Sequence, residues 1–280
     1  MSSLIRKLLA GLSSAPDGPT IALLSDFGER DTYVGTMRAV IASISPQARV
    51  IDITHQVRPQ STQEGAYALW SAYRYFPRAT IFAAVVDPGV GTDRDILILE
   101  SDDFMFVAPD NGILDLVATE ITQRSVHALR VGEPGGKWRR YARPELSRTF
   151  HGRDIFAPVA AHLSLGVTPG QIGDARRPVA PSTGFCDVTK GTDPPRILHI
   201  DRFGNVITNV RVPNETALIL GLKVGRHRVT GWIQAYQDGP LRKPRLIAGS
   251  SGLVEIVVRN GNAATLLGTD ITTSISLLAR

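Results

Sequence analysis

The N-terminal part of the chain alternates strand-like and helix-like segments, and this alternation constrains the fold more than any other feature. The strand-like segments are TIALLSDFG, RVIDITHQV and TIFAAVVDPGVG, and the helix-like segments between them are YVGTMRAVIASIS and TQEGAYALWSAYRYF. Strands that alternate with helices pair in parallel, because a parallel crossover needs about a helix's length of chain. Ligands of such sheets bind at the carboxyl ends of strands, where Asp26 and Asp87 stand. The pattern predicts an α/β domain with a largely parallel central sheet.

The last third of the chain follows a different pattern. A stretch rich in Pro, Gly, Ser and Thr covers residues 176–195, and the segments beyond it alternate apolar and polar residues between Gly and Asn turns. This alternation predicts a small antiparallel β domain. We expect an N-terminal extension at residues 1–18, an α/β domain at 19–185, a linker at 186–195 and a β domain at 196–280.

Composition narrows the class of protein. With 280 residues, of which 43% are hydrophobic and 20% charged, the chain can bury a large core. The net charge is +5, but no run of five or more like charges occurs, so we expect no nucleic-acid partner. The single cysteine, Cys186, cannot form an internal disulfide, which favours a reducing compartment. The apolar start is interrupted by Arg6 and Lys7 and is too short to span a bilayer, so we expect a cytoplasmic protein without a membrane partner.

Six polar, glycine-containing stretches stand at the ends of predicted strands. They are SDFGERD, VDPGVGTDR, APDNGIL, FHGRD, IDRFGN and GSSG. Asp, Asn and Gly are ordinary turn residues, so each stretch taken alone is expected to be a turn. Together they supply carboxylate, amide, hydroxyl and imidazole groups beside residues that let a ligand approach the backbone. The set therefore predicts a binding cleft.

Known ligand motifs exclude some kinds of site. PGVG lacks the third glycine and the helix context of the dinucleotide fingerprint, and no serine stands in a G-x-S-x-G elbow. A divalent metal bound by Asp26, Asp31, Asp87 and His151 is an alternative, because hard cations accept carboxylate and imidazole ligands. His151 differs from the other histidines, which are expected to be structural or surface groups. It lies in HGRD just before a predicted helix, where backbone N–H groups and charged neighbours tune its ring.

Seven stretches, in this order and spacing, make the chain resemble a family. They are SDFGERDTYVGTMRAVI, THQVRPQSTQEGAYAL, YFPRATIFAAVVDPGVGTDR, VAPDNGIL, RTFHGRDIFAPVAAHLS, IDRFGNVITN and AGSSGLVEI. The chain resembles, from Ile21 to Leu278, the S-adenosyl-L-methionine (SAM) hydroxide adenosyltransferases, which form adenosine and are related to fluorinating and chlorinating enzymes. The resemblance implies an N-terminal α/β domain, a smaller β-barrel-like C-terminal domain, and a homotrimer whose active sites lie between subunits.

The resemblance also implies roles for individual residues. The family's water-holding triad carries over to Asp87, Arg94 and His151. Its substrate-binding residues carry over to Asp26 for the ribose hydroxyls, Asp31 for ordering the first loop, Asn205 for the adenine edge, Asp201 for the methionine ammonium, Ser250 and Ser251 for the carboxylate, and also Asn111 and Glu255. In the halogenating relatives Tyr and Ser replace the positions of Asp87 and Gly152, so this chain fits hydroxide transfer. Asp95 stands where many members have a second basic residue, a departure that changes the charge next to Arg94.

The implied reaction is in-line attack of a water or hydroxide on ribose C5′, which expels neutral methionine from a sulfonium. Arg94 would favour the hydroxide form, while Asp87 and His151 orient it or accept its proton. The small molecule is the substrate, and no cofactor or metal is expected. Two alternatives stay open at this point: a non-catalytic protein that binds SAM or adenosine, and halide-dependent adenosyl transfer.

Overall fold

The structure is a computed structural model, and it describes residues 18–133, 135–190, 192–213 and 219–278. The chain divides into two compact units, an N-terminal unit, Met1–Ser182, and a C-terminal unit, Thr183–Arg280. The expected extension at residues 1–18 falls, except for Gly18, outside the described residues, so it stays a prediction, as do the other expected boundaries. No helix in the described ranges is both long and apolar enough to cross a membrane.

The N-terminal unit is built on a seven-stranded sheet. Its strands are β1 (Thr20–Ser25), β2 (Arg49–Thr54), β3 (Ile81–Val85), β4 (Asp95–Ser101), β5 (Met105–Pro109), β6 (Gln123–Arg130) and β7 (Asp174–Arg176). Their order in the sheet is β2-β1-β3-β5-β4-β6-β7. The pairs β1/β2, β1/β3 and β3/β5 are parallel, whereas β4, β6 and β7 are added antiparallel. The predicted α/β domain with parallel core strands is confirmed.

Helices surround this sheet. They are α1 (Tyr33–Ile44), α2 (Thr62–Ala72), α3 (Asp115–Ala118), α4 (Ala157–Ser164) and α5 (Pro169–Ile172). Helix α1 buries Val34, Met37 and Ile41, a spacing that places them on one helical face. Helix α2 begins after Ser61, whose Oγ accepts a hydrogen bond from the Glu64 amide at 3.4 Å. Every residue of β1, β3 and β5 is buried, as expected for parallel strands covered on both faces.

The C-terminal unit consists mainly of strands. They are β8 (Ile197–Ile200), β9 (Val206–Arg211), β10 (Gly221–Val224), β11 (His227–Thr230), β12 (Trp232–Ile233), β13 (Pro244–Ala248), β14 (Leu253–Val258) and β15 (Ile275–Leu278), with one short helix, α6 (Ala263–Leu267). They form a three-stranded sheet, β11-β10-β15, and a five-stranded sheet, β12-β13-β14-β9-β8. All pairs between these strands are antiparallel except the short β12/β13 pair. The predicted β domain is confirmed, although its described strands form two sheets and do not close into a barrel.

Candidate active site

Asp87 and Arg94 lie on the turn that joins β3 to β4. Strand β3 ends at Val85, and the Val90 amide donates a hydrogen bond to the Asp87 carbonyl at 3.2 Å. Gly91 then adopts a φ of +80°, in the left-handed region that a side chain disfavours. The chain reverses at this point, so Arg94 returns beside Asp87 just before β4 begins.

The two side chains form a buried ion pair. Arg94 Nε donates to Asp87 Oδ1 at 2.9 Å and to Oδ2 at 2.8 Å, and Arg94 Nη2 also contacts Oδ2. The arginine side chain is 11% exposed and the aspartate side chain 4%. Two charges removed from water are tolerated when several charge-assisted hydrogen bonds join them. The pair therefore fixes the guanidinium in one orientation.

His151 completes the cluster from a different part of the chain. It precedes a turn of π-helical geometry, Gly152–Phe156, a rare conformation that is frequent at functional sites. Arg94 Nη2 lies 3.0 Å from His151 Nδ1. A guanidinium only donates, so Nδ1 accepts, and the proton of the neutral ring is on Nε2. Burial first, and then the charge of Arg94, lower the pKa of His151, while Asp87 and Asp154 oppose this shift.

One donor of this cluster lacks an acceptor among the residues that the structure describes. Arg94 Nη1 is buried, and no atom in the described part of the chain accepts a hydrogen bond from it. A buried donor without an acceptor is costly, and more so when it carries charge. A small oxygen ligand, such as water or hydroxide, would satisfy it and would be stabilised in its anionic form by the guanidinium.

Two further predicted residues lie near the end of β1. Asp26 Oδ2 accepts a hydrogen bond from the Gln60 amide at 2.7 Å, which fixes the carboxylate beside the strand end. Asp31 is exposed and lines an open groove of about 740 Å³ together with Glu29 and Arg38. Asp31 is thus placed on the first loop, as expected, but its predicted ordering role stays a prediction.

Asn111 is tied to the backbone around the ion pair. Its Nδ2 donates to the Val86 carbonyl at 2.8 Å, and its Oδ1 accepts from the Ile113 amide at 3.2 Å. Val86 is the residue before Asp87. The amide of Asn111 therefore holds the start of the turn that carries the ion pair, and a contact with substrate stays a prediction.

In the C-terminal unit, Asp201 and Asn205 share the loop between β8 and β9. Asp201 Oδ1 accepts from the amides of Phe203 at 2.9 Å and Asn205 at 2.8 Å, and its Oδ2 accepts from Asn205 Nδ2 at 2.9 Å. These bonds close the loop around the carboxylate. Phe203 at its tip is 76% exposed, which is unusual for a phenylalanine. The structure brings these two predicted residues together.

The remaining predicted residues lie on or before β14. Glu255 is only 8% exposed, and burial, aided by the charge of Asp201, raises its pKa to about 7. Its carboxyl packs on Gly249, where an added Cβ would collide with Glu255 Oε1. Ser251 Oγ is buried and has no hydrogen-bond partner among the described residues, whereas Ser250 is exposed. This unit therefore contains a carboxylic acid with a raised pKa, Glu255, and a buried hydroxyl, Ser251, without a hydrogen-bond partner among the described residues.

Comparison with known proteins identifies the family. Residues 21–173 match the model of the SAM hydroxide adenosyltransferase N-terminal domain, and residues 195–276 match that of the C-terminal domain. The chain belongs to this family. It is 37% identical over 257 residues to a Thermus thermophilus protein named (R)-S-adenosyl-L-methionine hydrolase, with 89% of this chain and 95% of that protein covered. A fluorinase from an Actinoplanes species is 27% identical over 229 residues, covering 70% of this chain and 73% of the fluorinase.

A solved structure has the same fold along nearly the whole chain. The crystal structure of an uncharacterized conserved protein from Thermotoga maritima superimposes with a TM-score of 0.79 at 32% identity, covering 92% of this chain and 99% of that one. The resemblance inferred from the seven sequence stretches is therefore confirmed, as is the relationship to fluorinases.

The four side chains considered as metal ligands can be compared with the structure, while the expected absence of a metal stays a prediction. Within residues 18–133, 135–190, 192–213 and 219–278, no group of three or more His, Cys, Asp or Glu side chains could hold a metal ion. Asp26, Asp31, Asp87 and His151 are therefore not assembled as a ligand set. The physical reason is that Asp87 directs both carboxylate oxygens at Arg94, and His151 directs Nδ1 at the same cation.

Sequence analysis missed a row of three polar side chains, Ser25, His55 and Asp52, next to Asp26. Ser25 Oγ lies 2.7 Å from His55 Nδ1. His55 Nε2 is 3.2 Å from Asp52 Oδ1, but the two atoms are not aligned for a hydrogen bond. Burial first, and then the charge of Arg38, lower the pKa of His55 to about 4. The available signal was that the SDFG and THQV stretches both end parallel strands, which places them at one sheet edge.

Asp154 was expected only as one of the charged neighbours of His151, and it had no role of its own. It stands three residues after His151 in HGRD and is completely buried. A carboxylate so close in sequence to the predicted histidine was the signal that could have drawn attention to it.

Proposed function

We propose that this family member hydrolyses SAM to adenosine and L-methionine. The buried cluster of Asp87, Arg94 and His151 carries the proposal, because Arg94 Nη1 is a charged donor that lacks an acceptor in the described part of the chain. Relatives that cover nearly the whole chain and are named (R)-S-adenosyl-L-methionine hydrolase support the choice of substrate.

The chemistry needs an activated nucleophile more than an acid. The sulfonium leaves as neutral methionine, so no group has to protonate the leaving atom. Water is a weak nucleophile, and hydroxide is scarce at neutral pH. Arg94 is permanently cationic, so it stabilises hydroxide at its Nη1 donor. Holding this oxygen in line with C5′ contributes part of the roughly 7–11 kcal/mol that well-oriented reactions can gain.

Asp87 and His151 orient the nucleophile in this mechanism. Asp87 already accepts from Arg94 through both oxygens, so its carboxylate holds the guanidinium in place beside the nucleophile. His151 presents Nδ1 to the same cation, which leaves its Nε2–H to donate to a bound oxygen. We infer that Arg94 polarises the oxygen and that the other two side chains set its direction.

The substrate is bound, in this proposal, by residues of both units. Their roles are Asp26 at the ribose hydroxyls, Asp31 at the first loop, Asn111 behind Asp87, Asn205 at the adenine edge, Asp201 at the ammonium, Ser250 and Ser251 at the carboxylate, and Glu255 beside Asp201. We further propose a homotrimer in which each site combines the N-terminal unit of one subunit with the C-terminal unit of its neighbour. Sedimentation tests this assembly, which a stable monomer would contradict.

No cofactor, metal, nucleic acid or membrane takes part in the proposed reaction. We place the protein in the cytoplasm, because its single cysteine, Cys186, is a buried free thiol suited to a reducing compartment. A salt-sensitive retention of nucleic acid on a filter would contradict the first statement.

The direct test follows both products in metal-chelated, low-chloride buffer. Wild-type protein should release adenosine and methionine in equal amounts, and Asp87→Asn should be slower by a factor of about 10² to 10⁴. Asp102→Asn is the matched control, because Asp102 also pairs with an arginine, Arg124, but on an exposed surface. Its rate should equal that of the wild type.

The same assay separates the two other functions. Binding of SAM by calorimetry without release of adenosine would identify a non-catalytic binding protein. Formation of 5′-chloro-5′-deoxyadenosine in proportion to added chloride would identify halide transfer. Equal rates for Asp87→Asn and wild type would contradict the proposed role of the cluster even if adenosine is formed.

A further inference from the structure

Asp154 is a buried carboxylate that holds the backbone around the proposed triad. Its side chain is 0% exposed. Arg153 Nε donates to Oδ1 at 2.6 Å and Arg153 Nη2 to Oδ2 at 3.0 Å, while Arg143 Nε lies 3.6 Å from Oδ1. The Ser147 amide donates to Oδ2 at 2.7 Å. A buried charge is tolerated only with such partners, and these hydrogen bonds hold the Asp154 carboxylate in one position.

The Ser147 contact fixes a short segment, residues 147–149, which we call the strap. Within it, the Thr149 amide donates to Ser147 Oγ at 3.1 Å, and the hydroxyls of Ser147 and Thr149 lie 3.0 Å apart. The Arg143 amide donates to the Asp154 carbonyl at 2.9 Å, so the chain leading into the strap is also tied to the π-helical turn. Asp154 thus determines where the strap lies.

The strap packs directly on the turn that carries the ion pair. The carbonyl oxygen of Arg148 occupies the space where a Cβ of Gly91 would stand. Gly91 lies between Asp87 and Arg94, and His151 follows the strap by two residues. The strap therefore joins the two segments that supply the triad, with Asp154 behind it.

We propose that Asp154 is a positioning residue for the triad, which fixes the strap against Gly91 and thereby aligns Arg94 with His151. The inference rests on the proposed function for its kinetic readout. In this proposal Asp154 contacts neither the substrate nor the reacting oxygen, so it acts on the triad by holding the strap. Its charge also opposes the lowering of the His151 pKa by burial and by Arg94.

The test compares Asp154→Asn with Glu120→Gln. Glu120 is the matched control, since it also accepts from an arginine, Arg74 Nη2, at 2.8 Å, and it stands in the same unit on the segment that follows α3. We expect Asp154→Asn to lower kcat about tenfold to a hundredfold with KM changed less than about twofold, because small misplacements of reacting groups have this effect. Glu120→Gln should retain wild-type kcat. Equal kcat values for the two variants would overturn the proposal.

A spectroscopic readout does not depend on turnover. In wild-type protein labelled with ¹⁵N-histidine, His151 should show an unprotonated Nδ1 and a protonated Nε2. Asp154→Asn should shift these signals towards a mixture of tautomers as the bond from Arg94 is lost, and Glu120→Gln should not. If the wild-type protein releases no adenosine, the proposed function fails, while this measurement still decides the inference. Unchanged His151 signals would overturn it.

If Asp154→Asn does not fold, the same contact can be tested from its other side. Gly91→Ala places a Cβ against the Arg148 carbonyl, and Gly135→Ala is a close control. Gly135 has a φ of +81°, nearly that of Gly91, but no atom within 4 Å of an added Cβ. We expect Gly91→Ala alone to lower kcat by about tenfold or more and to shift the His151 signals. Wild-type behaviour of both variants would contradict the role of the strap.

Discussion

Burial causes a large pKa shift in each unit, on a histidine in the N-terminal unit and on a carboxylic acid in the C-terminal unit. The N-terminal unit buries histidines whose pKa values burial lowers, to about 4 for His55 and in the same direction for His151. The C-terminal unit buries acids whose pKa values burial raises, to about 7 for Glu255 and in the same direction for the Cys186 thiol. All of these pKa shifts have the same main cause, which is the cost of placing a charge away from water.

Opposite groups give the units opposite dependences on pH. A unit that buries a neutral histidine becomes less stable as pH falls, because the unfolded chain binds the proton more readily than the folded unit does. A unit that buries an acid with a raised pKa becomes less stable as pH rises, because the acid releases its proton at a lower pH in the unfolded chain than in the folded unit. The ion pair of Asp87 and Arg94 differs from both, since it is a pair of charges buried together. The comparison predicts that acid destabilises the first unit and alkali the second.

The largest effect should come from removing the buried cation with Arg94→Met. Asp87, whose side chain is 4% exposed, would lose its counter-charge, and we expect a loss of about 3–5 kcal/mol in the free energy of unfolding. Activity should fall by a factor of about 10³, as for loss of a main electrostatic contact. The pKa of His151 should rise, because one cause of its lowering is removed. Urea unfolding, product release and NMR titration measure the three changes.

Arg124→Met is the control for this variant. Arg124 pairs with Asp102, and both side chains are about half exposed. An exposed pair contributes about 0–1 kcal/mol, so the control should change neither stability nor activity appreciably. Similar losses in both variants would mean that burial does not distinguish the Arg94 pair.

A smaller effect should follow from His55 as pH falls. Its pKa is 6.5 in the unfolded chain and about 4 in the fold, so stability is lost between these values and is fully present above pH 6.5. We expect about 2 kcal/mol, less than the full shift, because Asp52 lies 3.2 Å away and offsets part of the cost of protonation. Hydrogen exchange in β1 and β3, corrected for intrinsic rates, should show the loss.

The variant His55→Gln tests the assignment. A glutamine side chain does not titrate, so the slope between pH 6.5 and 4 should become shallower in the N-terminal unit. His227→Gln, in the other unit, should leave that slope unchanged. An unaltered slope in His55→Gln would assign the acid sensitivity to other groups.

Glu255 should produce the reverse dependence in the C-terminal unit. Its pKa is 4.5 in the unfolded chain and about 7 in the fold, so its stabilising protonation is complete below pH 4.5 and is lost as pH rises through 7. We expect a difference of about 1–2 kcal/mol between pH 5 and 8, reduced by partial contact with solvent. Glu255→Gln, which imitates the protonated acid, should abolish the difference in the exchange of β14. A difference of wild-type size in this variant would exclude Glu255 as its source.

Local sequence was sufficient for the elements that form by periodicity. The spacing of Val34, Met37 and Ile41 predicts α1, and the apolar runs predict β1, β2 and β3. Local features also placed Asp87 at a strand end and singled out His151 in HGRD before a helix. The family resemblance added Arg94 and joined the three residues into one site, a grouping that no local pattern shows.

Long-range contacts could not be predicted from such patterns. Strand β4 lies between β5 and β6 and runs antiparallel, which depends on how the sheet is completed. The pKa of Glu255 depends on Asp201, and the place of the strap depends on the fit of Arg148 against Gly91. The C-terminal strands likewise pair into two separate sheets. Whether such strands close into a barrel depends on the pairing of segments that are far apart in the sequence. These features require the distances of the folded chain.

The smallest effect should come from Ser251, where the C-terminal unit buries a hydroxyl without a partner among the described residues. Ser251→Ala removes this unsatisfied group, so we expect stability to be unchanged or to rise by up to about 1 kcal/mol. Thr208→Val is the control, since Thr208 Oγ1 donates to the Val254 carbonyl at 2.7 Å and its loss should cost about 1–3 kcal/mol. If Ser251 binds the substrate carboxylate, KM should rise severalfold in Ser251→Ala at an unchanged kcat. A loss of stability equal to that of Thr208→Val, with KM unaltered, would show that the hydroxyl supports the fold and leaves substrate binding to its neighbours.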